Sequence, residues 1–218
     1  MSTIILVRHG ENDWVKKNRL AGWIEGVHLN ENGRAQASAA AERLSHLPIK
    51  AIYSSPITRC METAVPIAAP HQLEITPLAE LGEVHYGDWE GEKIKTLSKN
   101  KLWYVVQFFP SRLRFPNGEA LREVQFRAIQ ILEKLAQQHT DDLIIVVSHA
   151  DLIKLVLAHY LGVHIDLFQR LTIAPASLSV ITLPENGGVR IGRINDDGPL
   201  RPPPPAEKPD KKKTNSKS

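Results

Sequence analysis

The sequence predicts an α/β fold, a three-layer α/β/α sandwich with a mostly parallel central sheet and an antiparallel edge hairpin. Short apolar runs alternate along the chain with longer helix-favouring segments, a pattern typical of parallel sheets with helices on both faces. The run LIIVV at residues 143–147 has five consecutive apolar residues, which indicates a buried strand. Residues 177–183 and 188–194 flank the turn sequence PENG, which indicates the hairpin.

The other elements follow from local signals. Strands are predicted at residues 4–7, 51–54, 73–76 and 142–149. Helices are predicted at residues 33–47, 55–69, 92–108, 118–138 and 150–162. In the second helix, Ser55 is expected at the N-cap and Pro56 at the first helical position. Gly162 is expected to end the last helix.

The 218 residues are enough for one good-sized domain, which we expect to span residues 1–195. The remaining residues 196–218 are expected to form a disordered Pro/Lys-rich tail, because residues 201–218 contain five prolines and no large apolar residue. Residues 201–218 also hold six of the 27 basic residues and two of the 24 acidic ones, so the first 200 residues carry a net charge of −1. We therefore expect no nucleic-acid partner for the folded part.

The composition is that of an ordinary globular protein, with 42% hydrophobic and 23% charged residues. No apolar run reaches the ~18 residues that cross a bilayer, so we expect no membrane association. Cys60 is the single cysteine and cannot form an internal disulfide. These features lead us to expect a cytoplasmic protein, and none of them predicts an oligomeric state.

Cationic side chains follow three of the predicted strands. Arg8 and His9 follow the first strand, His149 follows the most apolar strand, and Arg59 lies early in the helix after the second strand. In open parallel sheets, ligands bind at the carboxyl ends of the strands. We therefore expect these four side chains to converge on one pocket, although each alone has a plainer interpretation as a capping, core or surface residue.

A pocket of this composition suits a phosphoryl group. Arg8 and Arg59 offer permanently charged, fork-shaped donors for phosphate oxygens, and a neutral imidazole is a nucleophile. Phosphoryl transfer needs such a nucleophile and positive charge around the transferred group. If the two arginines and a protonated His149 supply that charge, neither a metal ion nor another cofactor is required, and we expect none.

The reaction also needs an acid that protonates the leaving oxygen. The segment at residues 78–94 is rich in carboxylates and glycines. Its candidates are Glu80, Glu83, Asp88, Glu90 and Glu92. Position along the chain does not choose among them.

Five motifs resemble, in order, those of the histidine phosphatase superfamily, also called the phosphoglycerate-mutase-like family. They are LVRHGEN, YSSPITRCMETA, LGEVHYGDWEG, FPNGEALREVQFR and IIVVSHADLIK, and the resemblance spans residues 4 to about 183. It implies a phosphoglycerate-mutase-like version of the predicted fold. It also implies a metal-independent phosphomonoester hydrolase that works through a phosphohistidine intermediate on a small phosphorylated metabolite.

The resemblance implies a role for each site residue. His9 matches the nucleophile, and Glu83 matches the proton donor. Arg8, Arg59 and His149 match the residues that bind the phosphate, and His149 also counts among the catalytic residues.

Two positions after His9 depart from the family pattern. The family usually has Ser or Thr where this chain has Asn12, and often Asn where it has Val15. Valine cannot donate a hydrogen bond to phosphate, so one phosphate contact is expected either to be lost or to come from Asn12.

The sequence signals for contacts with the rest of the substrate are less specific. Residues 18–33 resemble the substrate loop of the mutases, which implies that Ala21 and Gly22 lie near the substrate. Trp14, Trp23 and Trp89 are expected at the mouth of the site.

The resemblance leaves two alternatives to hydrolysis. The substrate-loop likeness and the sequence EVHYG favour a cofactor-dependent phosphoglycerate mutase. Against it, GDWEG is typical of the phosphatase branches, and only 24 residues separate Gly91 from Pro116, where the mutases carry a longer insertion that keeps water out. The departures at Asn12 and Val15 motivate a non-catalytic phospho-ligand-binding protein, which would not need both a nucleophile and an acid.

Overall fold

A mixed six-stranded sheet forms the centre of the structure, a computed structural model that describes residues 1–185 and 187–198. The strands are β1 (Ser2–Arg8), β2 (Ile49–Ser54), β3 (Ile75–Pro77), β4 (Leu143–Ser148), β5 (Leu178–Leu183) and β6 (Arg190–Asp196). Their order across the sheet is β3-β2-β4-β1-β5-β6. The first four strands are parallel, whereas β5 is antiparallel to both β1 and β6. The predicted parallel sheet with an antiparallel edge hairpin is confirmed.

Helices cover both faces of this sheet. They are α1 (Asp13–Lys16), α2 (Glu31–Leu44), α3 (Thr58–Ala68), α4 (Ile94–Leu97), α5 (Lys101–Phe108), α6 (Leu121–Gln138) and α7 (Ala150–Tyr160). On one face, Ile4 and Leu6 of β1 share a buried cluster with α6 and α7. On the other, Ile5 and Val7 share one with α2 and α3. Because successive side chains of a strand point to opposite faces, one apolar strand supplies both cores of the three-layer sandwich.

A third hydrophobic cluster involves the segment between β3 and α6. Trp89, Val106 and Phe115 are buried in it together with residues of α6 and α7, and Leu20 and Trp103 pack against it. This cluster borders the functional site described below.

The helix predicted at residues 92–108 is two helices, α4 and α5. The Asn100 side chain accepts a hydrogen bond of 2.9 Å from the Leu102 N–H and so caps the start of α5. An asparagine that bonds to nearby backbone favours a helix start over a helix interior. The continuous helix predicted here was wrong for that reason.

Ser55 is not the N-cap of α3. The helix begins at Thr58, and its N-cap Ile57 has no side-chain hydrogen bond. The Ser55 hydroxyl accepts from the Ile57 N–H at 3.3 Å and also contacts His149. The predicted end of α7 is confirmed, because Gly162 follows it with a φ of +67° that favours glycine.

The predicted tail lies mostly outside the described residues, which end at residue 198. Strand β6 runs to Asp196, whose carboxylate forms an ion pair of 2.8 Å with Arg43 of α2. Across residues 1–185 and 187–198, we find no helix with the length and hydropathy needed to span a membrane.

Candidate active site

The sheet brings the two site histidines together. Arg8 is the last residue of β1 and lies opposite Ser148, the last residue of the neighbouring parallel strand β4. His9 and His149 each follow directly, and their ring centroids are 5.2 Å apart. Arg59 is the second residue of α3, after β2 on the other side of β4. As expected, Arg8, His9 and Arg59 line one cavity. His149 does not line it and instead contacts Arg59.

His9 is neutral and presents one nitrogen to the site. Its Nδ1 lies 2.7 Å from the Gly10 carbonyl oxygen, which can only accept, so Nδ1 carries the proton. Its Nε2 therefore carries the lone pair, which accepts from Arg59 Nε at 3.2 Å. Burial first, and then the positive charges of Arg59 and Arg8, hold the pKa of His9 well below its usual range. A buried neutral imidazole with an available nitrogen is the state that a nucleophile requires.

The side chain of Arg59 is almost completely buried and contacts both histidines. Its Nη2 donates to the Gly22 carbonyl at 2.8 Å and to His149 Nδ1 at 3.1 Å. Because a guanidinium only donates, His149 Nδ1 accepts, and the proton of this ring lies on Nε2. That Nε2 donates to Ser55 Oγ at 2.9 Å.

His149 does not carry the positive charge expected of it. Its ring is fully buried, and burial together with the charge of Arg59 holds its pKa well below the usual value. In this arrangement His149 is neutral, and the fixed charge of the site comes from Arg8 and Arg59. The sequence could not predict this, because the pKa of a histidine depends on burial and on neighbours distant in the chain.

Three buried donors of the site have no hydrogen-bond partner among the described residues. They are Arg8 Nε, Arg59 Nη1 and Asn12 Nδ2. An unpaired buried donor costs roughly 1–3 kcal/mol, and more when it is charged. Arg8 is held by a 2.6 Å bond from Nη1 to the Ile173 carbonyl, which leaves its Nε available. A tetrahedral oxyanion beside His9 suits these three donors.

The short helix α1 orients the side chain of Asn12, which is its N-cap. Its Oδ1 accepts from the N–H groups of Trp14 and Val15 at 3.0 and 2.9 Å. The amide nitrogen of the same side chain is therefore the group left without a partner. Of the two outcomes predicted for this position, the geometry favours replacement of the lost contact by Asn12.

Glu83 is the one acidic candidate of residues 78–94 that lines the cavity. Burial and the negative charge of Asp151 raise the pKa of Glu83 to about 7, against the opposing effect of Arg59. Its Oε2 lies 4.0 Å from His149 Nδ1, and its Oε1 accepts from the Val84 N–H at 3.1 Å. A carboxyl group with a pKa near 7 is protonated often enough at neutral pH to act as an acid.

Residues far away in the chain hold the backbone of Glu83. Its carbonyl accepts from Trp23 Nε1 at 2.7 Å and from Arg127 Nη2 at 2.9 Å. Just before it, Leu81 accepts from the Ser148 hydroxyl at 2.7 Å. No signal in the sequence pointed to Arg127, Ser55 was expected only as a helix cap, and Trp23 was expected at the mouth of the site. Neither Trp23 nor Trp14 lines the cavity, whereas Trp89 does.

The cavity has a volume of about 420 Å³. The predicted substrate-loop residues Ala21 and Gly22 line it. Gly22 has a φ of +51°, and a Cβ there would lie 2.5 Å from the Glu90 carboxyl carbon, so the position favours glycine. Within the described part of the chain, no group of three or more His, Cys, Asp or Glu side chains is arranged to hold a metal ion.

Known proteins are similar to this chain over almost its whole length. Phosphoserine phosphatase 1 of Hydrogenobacter thermophilus is 31% identical over 194 residues, which cover 87% of this chain and 90% of the relative. A 2,3-bisphosphoglycerate-dependent phosphoglycerate mutase of Thermoplasma acidophilum is 30% identical over 196 residues, which cover 89% and 90%. The solved structure of Bacillus stearothermophilus YhfR has a TM-score of 0.83 and 26% identity, over 90% of this chain and 98% of that one.

The family model described as histidine phosphatase superfamily (branch 1) matches residues 4–197. The match begins in β1, ahead of His9, and ends just after β6, so it includes every strand of the sheet. This chain belongs to branch 1 of the histidine phosphatase superfamily.

Proposed function

We propose that this chain hydrolyses phosphomonoesters of small metabolites through a phosphohistidine at His9, without a metal ion. One observation carries the proposal. His9, whose Nε2 is unprotonated, lines one cavity with Arg8, Arg59 and Asn12, each of which has a buried donor without a partner among the described residues. A site for binding alone would need the donors but not a nucleophile and an acid of pKa near 7.

In the first step, His9 Nε2 attacks phosphorus and the bond from phosphorus to the ester oxygen breaks. Protonated Glu83 gives its proton to that oxygen, so the alcohol leaves uncharged. Arg8, Arg59 and Asn12 donate to the transferring oxygens, where negative charge is spread. The imidazole becomes a phosphohistidine, whose Nδ1 proton remains directed at Gly10.

In the second step, water attacks the phosphohistidine. Glu83, now a carboxylate, accepts a proton from the water, and the bond between phosphorus and Nε2 breaks. Inorganic phosphate leaves, His9 is again neutral and Glu83 is again protonated. The same carboxyl group thus acts first as an acid and then as a base.

Hydrolysis is favoured over mutase activity by the segment between Gly91 and Pro116. It is short and contains only α4, α5 and one 3-10 turn. Phosphohistidine that water can reach is hydrolysed, and a mutase must prevent this. The relative named as a mutase keeps isomerisation as the second candidate.

The test measures orthophosphate release from p-nitrophenyl phosphate, phosphoserine and 3-phosphoglycerate. Each assay contains a metal chelator and is run with and without a bisphosphate primer. We expect release that needs neither metal nor primer, and mass spectrometry of an alkali-quenched reaction should find phosphate on His9. His9→Ala should abolish both signals, whereas His159→Ala, an exposed histidine outside the cavity, should change neither. Isomerisation that depends on the primer would instead support a mutase, and a strict metal requirement would contradict the proposal.

We also propose that this reaction takes place in the cytoplasm. The single cysteine is buried beside His149, where burial raises the pKa of the Cys60 thiol to about 12. A thiol of this kind is inert and needs no disulfide partner. Fractionation of cells that express the chain, with an activity assay of each fraction, tests the location.

A further inference from the structure

The cavity contains buried hydrogen-bond donors that have no partner among the described residues. The unpartnered buried donors that line the cavity belong to Arg8, Arg59 and Asn12 in the described part of the chain. If the proposed function is right, all three are used by the phosphoryl group. The rest of the substrate must then be recognised by the remaining lining residues.

The other charged side chains of the lining are already engaged with protein groups. Asp151 accepts from the Tyr86 hydroxyl at 2.8 Å and from Lys154 at 3.2 Å. Lys154 also donates to the Gln169 side chain at 3.2 Å. Arg19 donates through Nε and Nη2 to the Gly91 carbonyl at 2.9 and 2.6 Å. Asp151 lines the cavity, and its negative charge would repel a substrate carboxylate that comes close to it.

Apolar side chains make up much of the remaining lining. We define the apolar wall as Leu20, Trp89, Trp103, Val106 and Phe115, all of which line the cavity. The rings of Trp89 and Trp103 are stacked with centroids 6.1 Å apart, and the Phe115 ring lies edge-on to Trp89 at 5.4 Å. Since these side chains also pack in the third hydrophobic cluster, the wall is held in place before a ligand binds.

We propose, on the basis of the proposed function, that the preferred substrates are phosphate esters of uncharged alcohols with an apolar, ring-sized group that packs on the apolar wall. Hydrophobic contact with a preformed aromatic surface adds binding without new hydrogen bonds. The cavity of about 420 Å³ lies within the range of roughly 300–1,000 Å³ that holds organic ligands larger than a phosphate. Carboxylated esters such as phosphoserine should be poorer substrates.

The test compares kcat/KM for ethyl phosphate, 2-phenylethyl phosphate, phosphoserine and 3-phosphoglycerate. The first two release alcohols of similar acidity, so their ratio reports contact with the ring. We expect kcat/KM for 2-phenylethyl phosphate to be about 100-fold higher than for ethyl phosphate. It should also be at least 10-fold higher than kcat/KM for either carboxylated ester. Equal or better turnover of phosphoserine or 3-phosphoglycerate would overturn the inference while leaving His9-dependent hydrolysis intact. If none of the esters is hydrolysed, both proposals are wrong.

A pair of neighbouring variants on α5 locates the contact. Trp103→Ala should lower the ratio of kcat/KM for 2-phenylethyl over ethyl phosphate at least ten-fold. Tyr104→Ala should leave the ratio unchanged, because Tyr104 is 60% exposed and does not line the cavity. Leu20→Ala, at a half-buried position of the same wall, repeats the test if Trp103→Ala does not fold. An unchanged ratio in the folded wall variants would overturn the role of the wall.

Discussion

His9 is kept neutral by the same surroundings that would bind the phosphate. Burial and two arginine charges hold the pKa of His9 well below its ordinary value, so its Nε2 stays unprotonated at neutral pH. The arginines therefore have two effects, since they attract the anionic substrate and suppress the inactive imidazolium. Glu83, in the same cavity, has the opposite shift because burial disfavours its negative charge.

Replacement of Glu83 by glutamine tests the acid directly. Glu83→Gln should slow hydrolysis of alkyl phosphates about 10²–10⁴-fold, with a much smaller effect on nitrophenyl phosphate, whose leaving group needs little protonation. In the wild-type protein, kcat/KM for alkyl esters should fall as the pH rises above about 7, because the acid form is lost. Glu80→Gln, an exposed carboxylate of the same segment, serves as the control. Equal losses on both ester types would show that Glu83 is not the acid.

Glu83 should also make stability depend on pH. Its pKa rises from 4.5 in the unfolded chain to about 7 in the folded protein, so the folded state retains a proton that the unfolded state releases. Compared with Glu83→Gln, the wild-type protein should lose stability as the pH rises from 4.5 through 7. At about 1.4 kcal/mol for each pKa unit, the loss approaches ~3 kcal/mol. Urea unfolding of both proteins at pH 4 and pH 8 measures it, and a difference that does not change with pH would contradict it.

Individual residues were predictable to different degrees. Arg8, His9, Arg59 and His149 could be found from the strand pattern, because each lies at or after the carboxyl end of one of the parallel strands β1, β2 and β4. Glu83 was chosen among five carboxylates only by resemblance, since burial depends on contacts such as that with Trp23, 60 residues away. The neutral state of His149 could not be predicted for the same reason.

Helix α2 contributes to the site through the close approach of its first turn. A Cβ on Gly33 would lie 1.9 Å from the Glu11 carbonyl oxygen, and one on Gly10 would lie 2.5 Å from the Gly33 carbonyl. The helix therefore packs directly on the backbone that follows His9. Asn30 caps this turn by accepting from the Gly33 N–H at 2.8 Å.

Gly33→Ala should push α2 away from the loop after His9. We expect a loss of about 1–3 kcal/mol in the free energy of unfolding, typical of overpacking, together with reduced kcat because the nucleophile shifts. Ser38→Ala, at an exposed position of the same helix, should change neither quantity. Urea unfolding and steady-state kinetics of the two variants measure the effects. Wild-type stability and activity in Gly33→Ala would mean that the contact is not tight.

The elements were easier to predict than their ends. Strands such as β1 and β4 are short apolar runs, and a run of this length indicates a buried strand. The break between α4 and α5 depends on a cap at Asn100, and the late start of α3 depends on Ser55, which contacts His149 instead. A side chain's choice between a local and a tertiary partner cannot be read from nearby sequence.

At the scale of the molecule, we propose that residues 1–195 form the catalytic domain and that the tail takes no part in the reaction. Deletion of residues 201–218 should leave kcat/KM within about two-fold, because lysine charges that are screened by salt act weakly at a distance. The measurement compares the full chain and the truncated chain on the same ester at low and moderate salt. A large drop that persists at moderate salt would show a functional role for the tail.

The register of β1 and β4 has a consequence for how this protein can change over time. His9 and His149 follow paired residues of adjacent strands, and their 5.2 Å separation is close to the ~4.8 Å between neighbouring strands. Backbone hydrogen bonding between the strands therefore places the two histidines side by side, and Arg59 then contacts both rings. Residues 86–115 supply most of the apolar wall and lie outside these two strands. Substitutions there can change which substrates bind while the pair of histidines, and with it the reaction, stays the same.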